Sequence, residues 1–219
     1  MPPQTTHTHY PTTLSAPARA LILFVIGFVI SIIIDHLQKE HNITRYPASA
    51  TLFDSASWLP ISWGFSAMLV GTVYPALDSY FLKQKSSPQS RPSRQEWSSV
   101  LRCCGGFIGV NYATSKLPWT SSIQVSITLA FLAIGLWFLF DRTLHGFIVS
   151  AVFAIIGTMV VFFLVSRGFY SFTKADFFGV RSWLPCILHS SSICFGSIGR
   201  QLAHPLDTDG CVDTDKKNS

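Results

Sequence analysis

IQVSITLAFLAIGLWFLF, residues 123–140, is eighteen residues with no charge, and its polar members are a lone glutamine, serine and threonine. In lipid a lone strand leaves its backbone groups unpaired, so the segment reads as a bilayer-spanning helix. Working outward, Asp141 and Arg142 end it, and only Thr143 to His145 separate them from a second apolar run, Gly146 to Val165. Two long apolar helices joined by so short a turn form a membrane hairpin.

The rest of the 219 residues supplies four further candidates: Ala20 to Leu37, about Ala56 to Leu77, Trp97 to Ala113, and Trp183 to about Leu202. The approximate spans are therefore 20–37, 56–77, 97–113, 123–140, 146–165 and 183–202, with tails at 1–19 and 204–219. Only 12% of the residues are charged, against about 25% in soluble domains, which leaves too little polar surface for a water-soluble globule. The expected fold class is all-α: a polytopic membrane protein with six transmembrane helices in a compact bundle. The first run lacks a small-residue cleavage site and reads as a retained span.

Six spans place both termini on one side. With both in the cytosol, that side holds ten of the 16 basic residues, the direction expected from the positive-inside rule. The net charge of +5 is then a matter of orientation, not of nucleic acid binding. The stretch Lys83 to Glu96, rich in Ser, Pro and basic residues, reads as a loop, and the tail after Ala203 reads as disordered. Asn42-Ile43-Thr44 is a glycosylation sequon, although it lies close to the membrane.

Glycines and other small residues favour close helix packing: Gly64, Ser66, Ala67 and Gly71 in the second span, Gly105 and Gly109 in the third. The five cysteines show no C-x-x-C spacing and read as small buried hydrophobes. Asp35, Asp78, Arg102, Asp141 and Arg142 are the charges nearest membrane depth, and interfacial placement is their plainer reading. Asp141 opposes the dipole at a helix C-terminus, which Arg142 is placed to offset. The amides of Asn111 and Gln124 suit hydrogen bonds to another helix or to a polar ligand group. No protease, hydrolase or P-loop motif is present, and no His pair has metal-ligand spacing, so no catalytic residue and no metal is expected. A regulatory binder, a small transporter or channel, a lipid-modifying enzyme and a structural scaffold all stay open at this point.

Several blocks carry a resemblance: EWSSVLRC (Glu96 to Cys103), FIGVNYATSK (Phe107 to Lys116), residues 123–142, FTKADFFGVRSWLPCI (Phe172 to Ile187) and GSIGRQLA (Gly196 to Ala203). In content, order and spacing they resemble the Insig (insulin-induced gene) family of endoplasmic-reticulum membrane proteins. Departures from the family pattern fall at Ile61 to Ala67, in the loop before Glu96, at Tyr112, at Phe138 and in the tail. The resemblance implies a six-helix regulator with no cofactor, responsive to an oxysterol such as 25-hydroxycholesterol. Its implied partners are the sterol-sensing domain of Scap, HMG-CoA reductase and ubiquitin ligase machinery. Sterol-pocket positions carry over to Phe107, Gln124 and Trp137, and a partner-binding aspartate to Asp141, next to Arg142. Gly106, with Gly105 and Gly109, is expected to leave room for a flat ring system in a cavity between the third, fourth and fifth spans.

Overall fold

The computed structural model describes residues 14–45, 51–52, 55–56, 58–84, 96–116, 121–169, 171–173, 175–176 and 179–204. The expected loop falls largely, and the C-terminal tail almost wholly, outside these. Among these described residues six helices form the body: α1 (Ala16–Glu40), α2 (Trp58–Gln84), α3 (Trp97–Lys116), α4 (Ser122–Phe140), α5 (Leu144–Ser166) and α6 (Leu184–Ala203). Four two-residue strands, unforeseen from the sequence, lie between them: β1 (Thr44–Arg45), β2 (Thr51–Leu52), β3 (Ser55–Ala56) and β4 (Ser171–Phe172). β1 pairs antiparallel with β4, so the α1–α2 and α5–α6 connections are joined at one end of the bundle. Among the described residues, α1, α4 and α5 are each long and apolar enough to cross a membrane. The chain is an all-α membrane protein.

The most enclosed of these helices is a serine-rich one. α6 packs against all five others, and its run from His189 to Gly199, which includes Ser190, Ser191, Ser192 and Ser197, is continuously buried. By contrast α5 turns Ile148, Val152, Ile155, Met159, Phe162 and Phe163 outward, a lipid-facing pattern. Lipid gives apolar side chains no reason to leave it, so association must come from close packing. Glycine supplies that closeness. A Cβ on Gly64 would stand 2.7 Å from the Phe24 ring, and one on Gly27 would collide with Ala67. α2 runs on past Pro75 to Gln84, seven residues beyond the expected end. Pro75 has no N–H to give the carbonyl of Gly71, one turn back.

Candidate functional site

Arg200, near the end of α6, is the centre of a polar cluster. Its Nε donates to Asp78 Oδ2 at 2.6 Å and its Nη2 to Asp78 Oδ1 at 3.1 Å. Nη1 donates to Asp141 Oδ1 at 2.5 Å. The guanidinium lies 4.9 Å from the Tyr74 ring centroid, and the Tyr74 hydroxyl donates to Gly146 O at 3.0 Å. His145 Nε2 is 2.5 Å from Asp78 Oδ1. One planar cation thus joins α2, the α4–α5 turn and α6. A fork of this kind fits two carboxylates where a lysine would meet one.

The turn is built to hold its aspartate inward. Thr143 N-caps α5, accepting from Gly146 N at 3.2 Å, and donates to Asp141 Oδ1 at 2.6 Å. The Asp141 side chain has 0% exposure. The carboxylate that opposes the α4 dipole therefore sits at the N-terminal end of α5, where negative charge is favourable. Its neutralising partner is Arg200, which corrects the expected role of Arg142. Arg142 is exposed, has φ +56°, donates from Nε to Phe138 O at 2.8 Å and stacks on the Phe138 ring.

The structure separates the residues expected to line a sterol pocket. Phe107 is fully buried and meets Phe195 edge-on, with ring centroids 6.5 Å apart. Trp137 is partly buried; its Nε1 donates to Thr143 O at 2.9 Å and its ring packs on Phe147, so it bolts the hairpin together. Gln124 is exposed on α4, and Gly106 lies half-buried beside Leu136. Gly105, Gly109 and Gly135 have open space where a Cβ would be. α3 and α4 thus carry open glycine positions and one exposed amide.

A cavity of about 460 Å³ lies elsewhere, among α1, α2, α5 and α6. Its lining is mainly apolar, from Trp63, Leu69, Phe153 and Ile187, with Ser31, Asp35, Thr44 and Ser192 among the polar exceptions. The hydroxyls of Ser31, Thr44 and Ser192 are buried without a hydrogen-bond partner. Asp35, expected at an interface, is 3% exposed; Arg102 is exposed as expected. Asn111 bonds back to Phe107 O in its own helix at 2.9 Å and not to a neighbouring helix. The thiols of Cys104 and Cys194 lie 3.4 Å apart, and Cys103, Cys104, Cys186 and Cys194 are all free. Cys211 lies outside the described residues. Among the described residues no group of three or more metal-ligating side chains occurs.

The family model described as "Insulin-induced protein (INSIG)" matches residues 18–203. The chain belongs to the Insig family. It is 41% identical over 187 residues to the insulin-induced gene 1 protein of Danio rerio, covering 84% of this chain and 72% of that one. The human protein of the same name is also 41% identical, with 65% of its length covered. The fold is shared with a mycobacterial Insig homolog, MvINS from Mycobacterium vanbaalenii, at a TM-score of 0.73 and 20% identity over 84% of this chain and 93% of that one. A cross-linked trimer of MvINS matches equally well, with a TM-score of 0.73 and 21% identity. Membership makes the chain a member of a sterol-regulatory family. Sequence reasoning missed Arg200 as a site residue, having counted it only among the ten basic residues of the cytosolic side. The signal was present in a cation that directly follows Gly196 and Gly199, the two small residues that bring α6 against α2.

Proposed function

We propose that this Insig is an oxysterol-responsive regulator of sterol synthesis in the endoplasmic-reticulum membrane, with six spans and both termini cytosolic. In this reading it retains the Scap–SREBP complex when oxysterol is abundant. It also brings HMG-CoA reductase to ubiquitin ligase machinery for degradation. It acts by binding, not by catalysis.

The observation that carries the reading is the exposed side chain of Gln124 on α4, a helix that packs beside α3 and its open glycine positions. A sterol is a rigid apolar plate, and lipid is as apolar as any pocket, so shape discriminates weakly. A hydroxyl that pairs with a positioned amide adds discrimination, since a buried polar group left unpaired costs about 1–3 kcal/mol. On a face formed by α3 and α4 a sterol would be covered on its other side by the partner. Phe107 and Trp137 would then act from behind, by setting the spacing of α3 and α4, and Gly106 by leaving room at the edge. Sterol favours the complex only to the extent that it binds that state better. At the far end of α4 from Gln124, Arg142 is exposed and Asp141 is buried beside it; both are proposed to serve partner binding, Asp141 from within.

A second placement has its own support. The cavity among α1, α2, α5 and α6 falls within the 300–1,000 Å³ typical of small-molecule sites, and three unpartnered hydroxyls face the region it occupies.

The test is binding of labelled oxysterol to the purified protein, alone and with the sterol-sensing domain of Scap, for wild type and Gln124→Ala. Binding that needs the partner and weakens in the variant supports the α3–α4 face. Saturable binding without partner that ignores Gln124 favours the cavity. No binding in either setting leaves a sterol-blind scaffold.

A further inference from the structure

The Asp141 carboxylate lies in the α4–α5 turn, the edge proposed above to meet the partner, yet none of its surface is exposed. A docked protein would meet other groups of the hairpin: Leu144 is 72% exposed, Leu139 64% and Phe138 58%, with the Arg142 guanidinium over the Phe138 ring. Three features converge on the hidden carboxylate. Thr143 and Arg200 donate to it. Position 146 is glycine, and a Cβ there would run into Asp141 Oδ2 and come within 2.6 Å of Thr143 Oγ1. The far side of the same guanidinium grips both oxygens of Asp78 on α2. The position of the hairpin tip relative to α2 and α6 is therefore set through this cation, with the Tyr74–Gly146 and His145–Asp78 contacts beside it.

We propose that Arg200 is the positioning residue for the partner-binding edge, and that Asp141 influences partner binding through Arg200 without touching the partner. This rests on the regulatory reading above and specifies how its edge is controlled. Arg200 acts as an internal counterpart: it anchors the turn, and the anchored turn presents Phe138, Leu139, Arg142 and Leu144 in one arrangement. Releasing the anchor leaves every one of those exposed groups chemically intact while freeing their arrangement.

The experiment is a double-mutant cycle on the full chain in microsomes, reading capture of the Scap sterol-sensing domain for Asp141→Asn, Arg200→Gln and the pair. Each single change is expected to weaken capture by about tenfold or more, as loss of a charged hydrogen bond would. The pair is expected to weaken capture no further than either single change, because both cut the same link. Losses that multiply in the pair would mean that Asp141 contacts the partner itself, and would overturn the proposal. Arg200→Lys keeps the charge but not the fork, and is expected to restore part of the capture; no restoration at unchanged thermal stability also counts against it. If Arg200→Gln does not fold, Asp78→Asn/Asp141→Asn/Arg200→Gln removes all formal charge at Asp78, Asp141 and Arg200 together and takes its place.

A second readout is independent of any partner: labelling of Leu144→Cys by a membrane-impermeant maleimide. Its rate is expected to change several-fold when Asp141→Asn or Arg200→Lys is added. An unchanged rate overturns the anchoring idea. Changed labelling with no Scap capture by wild type would sink the regulatory reading, and with it the partner role, while the anchor stands.

Discussion

A Cβ on Gly199 would fall on the carbonyl group of Gly71. The hydrogen that glycine carries in that place points at the Gly71 oxygen, the one that Pro75 deprives of its helical N–H donor. A weak Cα–H contact of this kind contributes about 0.5–1 kcal/mol, and only where two backbones can touch. It sets the distance between α2 and α6 at the residue before Arg200 and about two turns before Asp78, so the crossing delivers the two charges to each other.

Gly199→Val is therefore expected to destabilise the protein by about 1–3 kcal/mol or to prevent folding, as overpacking does. Gly105→Ala, facing open space, is expected to leave stability within about 0.5 kcal/mol. Thermal unfolding in detergent distinguishes the two, and equal midpoints would show that the crossing can relax.

Tyr74 combines a hydrogen bond to Gly146 O with a ring beneath the Arg200 guanidinium. Tyr74→Phe removes the first and is expected to cost about 1 kcal/mol. Tyr74→Ala removes both and the packing against Gly196, where the ring sits 2.5 Å from a Cβ position; about 3–5 kcal/mol is expected. Equal losses in the two variants would assign the whole effect to the hydroxyl.

Gly106→Leu pushes a side chain toward Leu136 and over the edge of the α3–α4 face. It is expected to weaken oxysterol binding about tenfold, with thermal stability unchanged. Ser192→Leu instead fills part of the interior cavity and is expected to leave oxysterol affinity as it is. The reverse pattern in a ligand-binding assay would move the sterol site into the cavity.

The sequon is expected to stay unmodified. Asn42 follows directly on α1 in a left-handed turn at φ +53°, and Thr44 is buried in β1 opposite Phe172. Endoglycosidase treatment should not shift the electrophoretic mobility, and Thr44→Ala should migrate with wild type. A shift would show that the loop is open when the chain is made.

Helices were legible wherever a span is apolar throughout. Residues 123–140 leave no alternative in lipid, and α4 occupies nearly the same residues as the expected span. Boundaries were less legible where proline suggests a stop but the helix only loses one donor, as at Pro75. Charges were the least legible. Asp78 and Arg200 stand 122 residues apart, and nothing local in either says that the other will neutralise it. Hence Asp78 read as interfacial and Arg200 as one more cytosolic basic residue, although their side chains are only 13% and 12% exposed. The orientation of Phe107 and Trp137 likewise depends on which helix lies behind them, a fact of packing and not of pattern.

α6 has consequences for how the protein is made. Chains emerge from the ribosome N-terminus first, so α1 to α5 enter the membrane before the helix that occupies their centre. Until α6 arrives, Asp78 and Asp141 have no cation between them, and the inward faces of five helices meet lipid or water. Serine-rich and enclosed on every side, α6 gains little from lipid alone and is drawn in by the waiting polar groups. The bundle is thus assembled around its last-inserted member, and a delay or defect in that one step leaves two carboxylates without their arginine, a mark by which an incomplete molecule differs from a finished one.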